Sequence, residues 1–432
     1  MNIRNKISSN EALTYYRKGN TRDLEGYHED AIIDYNHAIR LLPTFAEAYV
    51  GRGIARQNLK QYSSAIADFD TAIQLNPNCV EAYNNRGLVK DVLGQHAAAI
   101  SDFQKVIQLE PNEISSVYAA YFNLGNVNRN LGKHAAAISF YDKAIQLEPR
   151  FFHAYCFRGS SNYELGHLEA AIADYDQAIQ LKPDDALIFC RRGCVKGELG
   201  NHEGAISDFD QAIYLNPNDA NFYFNRGLAK NHIGYFEAAI ADYDQAIQLK
   251  PDFSSAFCAR GSAKGELGHY EAAIVDYDHA IQLTPNDATT YFNRGFAKGN
   301  LGLYEASIFD YEQAILLKND YVDAYFYRGV SKECLGHLSA SIEDYDIAIR
   351  FNPNHVDAVY NRGTGKSQLG QYEDAIVDYN QAILLKPDFP SAYFNRGDAK
   401  RQLGIMKLRL LTITMLSDYN PTIPKHTSIE EM

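Results

Sequence analysis

The chain has 432 residues, 46% of them hydrophobic and 22% charged, and a formal net charge of −13; this composition folds, and its acidity speaks against nucleic acid, whose phosphates need clustered Lys and Arg. Six Cys in so long a chain form no disulfide scaffold and suit a reducing, cytoplasmic setting. No apolar run reaches the roughly 20 residues of a membrane helix, and the opening MNIRNKISSNEALTYYRKGN has no apolar stretch of signal-peptide kind.

Residues 1–11 read as a lead-in, and from about residue 12 one unit repeats. A glycine within helix-forming sequence recurs at Gly19, Gly53, Gly87, Gly125, Gly159, Gly193, Gly227, Gly261, Gly295, Gly329, Gly363 and Gly397, at intervals of 34 except for the 38 between Gly87 and Gly125. Each unit holds two helical patterns. In the first, Tyr223, Gly227 and Lys230 share a face through 4- and 3-residue steps. An LG pair such as Leu267-Gly268 ends it, since glycine takes the left-handed conformation cheaply. In the second, Ala273, Tyr277 and Ala280 repeat the spacing, and the small Ala lets two helices approach. A proline closes most units, from Pro43 to Pro387, with Asn319 in its place once. The Asn or Asp that usually follows, as at Asn78, Asp184 and Asn286, is expected to cap the next helix.

With this period, internal glycine, LGxY turn, alanine–aromatic–alanine ladder and closing proline, the chain resembles the tetratricopeptide repeat family over about residues 12–404. The resemblance implies an all-α fold, an α-solenoid of helix-turn-helix repeats forming a right-handed superhelix, with eleven full repeats plus the first helix of a twelfth. It also implies a concave groove lined by the first helices. The chain departs from the family in two places: the first bulky aromatic is never Trp, and the second aromatic of the first helix is Lys in seven successive units, Lys196 to Lys400. The 38-residue interval adds four residues, about Glu113 to Ser116, close to one helical turn. A longer first helix in repeat four is expected, with a bulged loop as the alternative.

Let the internal glycine be position 8 of each repeat. Position 7 is then Arg in ten repeats (Arg52, Arg86, Arg158, Arg192, Arg226, Arg260, Arg294, Arg328, Arg362 and Arg396), Lys18 in the first and Leu124 in the fourth. Position 23 is Asp in ten, including Asp242 and Asp310, and Phe140 in the fourth. The repeat that loses its cation thus also replaces its acid. Breaking one side of a buried pair costs about 3–5 kcal/mol, whereas replacing both sides can be neutral. Structural ion pairs Arg226–Asp242 and Arg294–Asp310, and their equivalents, are expected between the two helices of a hairpin.

By analogy with the family, positions 2, 5, 9 and 12 face the groove. Position 5 supplies a mostly apolar stripe that includes Phe122, Cys156, Cys190, Phe224, Cys258, Phe292, Phe326, Tyr360 and Phe394. Position 6 supplies amides such as Asn225 and Asn293, able to hold the backbone of an extended peptide. Position 12 is Gly197, Gly265 and Gly299 in three central repeats, either for close packing or to open a pocket. Positions 2, 5 and 9 hold no Lys or Arg, which argues against a clamp for a terminal carboxylate. The lysine row at position 11 is expected to pack its stems while its tips reach into solvent.

Several motifs mimic chemistry. Gly363-Thr364-Gly365-Lys366-Ser367 looks like the end of a phosphate loop, but Tyr360 stands where that loop needs glycine and the segment falls inside a repeat helix. Cys190, Cys194, Cys156 and His153 suggest a soft-metal set, yet helices packed 8–10 Å apart make apolar filling the better reading. His28, His96, His134 and His202 share a position with Tyr62, Tyr270, Tyr304 and Tyr372 and read as turn-packing residues. No nucleophile–base constellation, cofactor fingerprint or metal set stands out, so no enzyme activity and no cofactor are expected.

Repeat twelve starts normally with AYFNRGDAKRQLG and then reads IMKLRLLTITMLSDYNPTIP. Permitted codons for this tail, regrouped after one added base, encode NYEAAIADYNNAIRLQPDYP, a regular second helix. Residues 405–432 therefore read as an aberrant, frameshifted and poorly ordered tail, with a divergent terminal helix as the alternative. Fraying from about Asp398, poor packing after Gly404 and self-association through an uncapped end are expected. The leading function is a non-enzymatic protein-interaction scaffold that binds a protein or peptide segment in its groove, without nucleic acid or membrane. The alternatives are the substrate-recognition arm of a larger enzyme and a helical-repeat RNA binder.

Overall fold

The computed structural model describes residues 3–109 and 113–419, with side chains over 9–109 and 113–411. The closing Pro111 and the tail beyond Tyr419 lie outside the described residues. All regular structure there is α-helix: 23 helices that pair consecutively as hairpins, with no strand among the described residues. The chain divides into two compact units, Met1–Pro217 and Asn218–Met432. Repeats one to six form the first and the remaining repeats the second, and each unit is a stack of helical hairpins, an α-solenoid.

Repeat eight shows how the residues make a hairpin. Its helices are Ser254–Glu266 and Tyr270–Leu283. Ala273, Tyr277 and Ala280 are buried on the second helix. Gly261 lies so close to the Tyr277 ring that a Cβ there would sit 2.8 Å from Cε1. The position-8 glycine is thus the seat for the aromatic ring of its own hairpin partner. Between the helices Gly268 takes φ +77°. Its N–H reaches the Gly265 carbonyl at 2.9 Å and that of His269 reaches Lys264 at 2.9 Å, the paired bonds of a Schellman termination.

Repeat two departs from this turn, with Lys60 at φ 59° where the others have glycine. Its bonds are the same, Lys60 N–H to Gln57 and Gln61 N–H to Arg56, so the backbone holds a conformation that costs a side-chain-bearing residue about 1–2 kcal/mol. Lys60→Gly is expected to stabilise repeats one to three by about 1 kcal/mol; an unchanged or earlier urea midpoint would contradict this.

The first helix of repeat four, Ile114–Asn130, has 17 residues, against 13 in Val80–Val92 of repeat three. The added turn lies at its N-terminal end, and Gly125 still seats the Tyr141 ring. The interval is therefore absorbed by a longer helix and not by a loop.

Two local expectations need correction. Asn78, Asp184 and Asn286 do not cap. Asn78 follows Pro77 inside a turn closed by the Cys79 N–H to the Asn76 carbonyl at 3.0 Å. Where a side chain does cap, it is one residue later: Asp185, Asp219 and Asp287 accept from the N–H groups of Leu187, Asn221 and Thr289. Proline fixes the first corner of the turn, which pushes the helix start one residue on. The segment past Gly404 is also helix, the form of the alternative and not of the leading expectation. The last helix runs from Pro390 to Tyr419, and Ala399 is buried. No alanine–aromatic ladder follows Gly404 to fold back on this helix, and Ile405, Met406, Lys407, Leu408, Arg409 and Leu410 are residues that extend one.

Candidate functional site

The charged residues of the repeats hold the hairpins together. Arg226 donates to Asp242 at 2.5 and 3.0 Å, and Arg294 to Asp310 at 2.5 and 3.0 Å. The position-11 lysines from Lys196 to Lys366 do not reach into solvent, and only Lys400, in the unpaired twelfth repeat, is exposed. Lys230 Nζ lies 2.8 Å from Asp242 and Lys298 Nζ 2.7 Å from Asp310. Positions 7 and 11 are one turn apart on the first helix, so both cations meet the same buried carboxylate. The arginine also reaches across repeats. Arg294 Nη1 is 2.5 Å from Asp278 of repeat eight, and Arg86, Arg158, Arg192, Arg260 and Arg362 reach Asp70, Asp142, Asp176, Asp244 and Asp346 in the same way. Burial pulls the Arg294 pKa down, but the bonds and charges of Asp310 and Asp278 outweigh it and hold the pKa above its ordinary value.

Repeat four replaces the arginine, the lysine and the buried aspartate of this network. Leu124 and Phe140 pack in one apolar cluster, and Asn128, at the lysine position, bonds back to the Leu124 carbonyl at 2.8 Å. The preceding repeat carries Gln104 where its neighbours carry the cross-repeat acid. A fourfold swap of this kind fits a network whose members stabilise one another.

The position-5 residues are less free than their stripe in the sequence implies. Phe224 packs on Tyr243 and Phe253, at 6.0 and 4.8 Å between ring centroids. Phe122 packs on Tyr141 and Phe151, Phe326 on Tyr345 and His355, and Tyr360 on Tyr379 and Phe389. Each ring joins the second helix of its own repeat to the start of the next and is left only partly exposed. Cys156 is buried, and its thiol is pushed up to about 12, chiefly by burial. Burial raises Cys258 as well. Cys190 lies one turn from Cys194, whose pKa the Cys190 hydrogen bond lowers against the pull of burial. Phe394 is the exception, 77% exposed. Some amides are also engaged: Asn85 bonds to Glu81, Asn123 to Asn84 and Asn395 to the Tyr360 hydroxyl.

In the second unit these positions converge on one concave pocket of about 590 Å³ between repeats eight, nine and ten. Positions 9, 12 and 13 of repeat eight give Ser262, Gly265 and Glu266; positions 5, 6 and 9 of repeat nine give Phe292, Asn293 and Phe296; repeat ten adds Asp323 and Tyr327. The second helix of repeat eight supplies Tyr270 and Tyr277. Asn293 makes only a 3.9 Å contact to Cys258 Sγ. Of the three position-12 glycines, Gly265 has nothing within 4 Å of a Cβ placed there, while one at Gly197 would meet Ala205 Cβ at 4.0 Å and one at Gly299 the Tyr311 hydroxyl at 3.8 Å; Gly265 thus opens space and seats no neighbour.

The chemical look-alikes dissolve into the fold. Gly363 to Ser367 lie within the helix Val356–Gln368, where Lys366 is held by Asp378 at 2.8 Å. His28 and His96 open second helices and bond Asp23 and Asp91 at 2.6 and 2.7 Å. His153 sits among Phe122, Phe151 and Phe152 rings, and no group of three His, Cys, Asp or Glu able to hold a metal occurs among the described residues. No helix there is long and apolar enough to cross a membrane.

Sequence profiles described as TPR repeat match residues 159–200, 195–231, 233–268, 261–302 and 367–404. Profiles described as tetratricopeptide repeat match 46–79, 80–113 and 118–151, and 12–45 and 288–321. No curated protein matches the sequence. Among solved structures, the chain is similar to the APC/C hetero-tetramer Cut9–Hcn1 at 11% identity, over 88% of this chain and 95% of that one, with TM-score 0.47. It is similar to yeast Tom70 at 14%, over 92% and 96%, with TM-score 0.41. A tetratricopeptide repeat protein from Parabacteroides merdae matches at 20%, over 61% and 98%, with TM-score 0.46. With 34-residue hairpins and a glycine–aromatic seat in each, the profile matches over most of its length show that the chain belongs to the tetratricopeptide repeat family.

Proposed function

We propose that this chain is a non-enzymatic cytoplasmic scaffold that holds an extended segment of a partner protein against its first helices. The observation that carries this reading is the pocket at repeats eight to ten, where Phe292 and Phe296 bring aromatic rings, Asn293 an amide and Gly265 open space to the same volume. The amide can bond a peptide backbone while the rings take a side chain, the usual division between orientation and apolar area in a binding site. Affinity then comes from a few anchors and not from the whole surface. The position-7 arginines and position-11 lysines that hold a buried aspartate take no part, since their charges are already met.

Panning a random-peptide phage library on the full chain tests this. Enriched peptides should bind Asn293→Ala roughly five- to tenfold more weakly, the cost of one lost hydrogen bond. Absence of enrichment, or binding indifferent to Asn293, would count against the groove. The reading extends to the last helix, whose Phe394, Leu408 and Leu411 are exposed. A second copy covering that face would make sedimentation depend on concentration, and Leu408→Glu with Leu411→Glu should abolish the dependence. A single concentration-independent species would remove this contact.

A further inference from the structure

The pocket of repeats eight to ten has a chemical bias that the general scaffold reading, on which this inference rests, does not supply. We infer that it takes a basic side chain, Lys or Arg, from an extended peptide partner. Its walls are aromatic: the Phe296 and Tyr327 rings meet edge to face at 5.2 Å, and Phe292 meets Tyr327 at 5.8 Å. Two carboxylates, Glu266 and Asp323, lie on its rim, and both residues are exposed. Neither carboxylate has a hydrogen bond or ion pair to any described residue. No Lys, Arg or His lines the pocket.

The cations nearest along the repeats cannot fill it. Lys264 and Arg260 are held by Asp276, and Lys298 and Arg294 by Asp310. The two carboxylates therefore act on the pocket without compensation, and their field is felt by its rings. Burial first, and then the charge of Asp323, raises the Tyr327 hydroxyl. An aromatic wall attracts a cation through the ring quadrupole, and carboxylates at the rim meet the charged tip once the stem is buried. An acidic partner side chain would meet only like charge here. A neutral apolar anchor would fill the space but leave both carboxylates facing it. Elsewhere the chain stacks its own cations in this way, with Lys318 Nζ 5.1 Å from the Tyr321 ring centroid and Lys250 Nζ 4.8 Å from that of Phe253.

The peptides enriched by panning on the full chain provide the probe. They should carry Lys or Arg at one fixed place. Such a peptide should bind Glu266→Gln with Asp323→Asn at least about tenfold more weakly, and its norleucine analogue should lose as much on the unaltered chain. On the doubly altered chain the analogue should lose little more, which marks the two changes as one interaction. Glu237→Gln with Glu305→Gln removes the same charge from exposed second-helix sites and should leave affinity within about twofold. Enriched peptides without a fixed basic residue, or basic peptides that ignore the two rim changes, would overturn the inference while leaving the scaffold standing. Failure to enrich any peptide would overturn both.

Discussion

Asp310→Ala is expected to destabilise the ninth repeat by about 3–5 kcal/mol. Asp310 is 0% exposed and receives Arg294 at 2.5 Å and Lys298 at 2.7 Å. Its removal leaves two largely buried cations, one of which keeps only Asp278 on the neighbouring repeat. The apolar version of the same site already exists in repeat four. Copying it, with Asp278→Gln, Arg294→Leu, Lys298→Asn and Asp310→Phe, should restore most of the loss even though four residues change. A solenoid of repeats need not unfold as one two-state block. Amide exchange over Ala288–Asn300 and Tyr304–Leu317 is therefore the suitable readout. If the fourfold variant lost more than the single change, the network would not be what holds the hairpin.

Two glycine-to-alanine changes should have opposite signs. Alanine normally stabilises a helix interior by about 0.5–1 kcal/mol relative to glycine. At Gly265 nothing lies within 4 Å of the added Cβ, so Gly265→Ala should show that gain. At Gly227 the Cβ would lie 2.6 Å from Cε1 of Tyr243, a ring that is fully buried and has nowhere to move. The overpacking cost of about 1–3 kcal/mol exceeds the helix gain, and Gly227→Ala should destabilise by about 1–2 kcal/mol. Thermal or urea midpoints moving together for both variants would show that the glycine does not seat the ring.

The repeat fold was legible because twelve copies of one pattern reinforce each other, and the Arg–Asp contact because repeat four changes both residues at once. The lysine row could have been placed by the same spacing. Lys298 is one helical turn beyond Arg294 and so faces the same acid, but the expectation packed only its stem between helices and sent its charged tip to solvent. The cross-repeat acids, such as Asp278, needed the stacking of one hairpin on the next, which no single repeat encodes. Gln104 facing the altered repeat four was the available clue. The pocket was half legible: Phe292, Asn293 and the glycine at position 12 could be named, but Glu266 and Asp323 come from different repeats and meet only in the stack. The continuation past Gly404 was legible only as the alternative of a divergent terminal helix, because an LG pair acts as a stop only when a second helix follows to pack against the first.

The most direct test of the account is hydrogen exchange on the full chain with and without a panned peptide. Added protection should concentrate in the first helices Ser254–Glu266, Ala288–Asn300 and Val322–Cys334, whose residues line the pocket. Little change is expected in Tyr304–Leu317. Protection confined to second helices, or spread evenly over the chain, would mean that the partner does not lie where these repeats leave room for it.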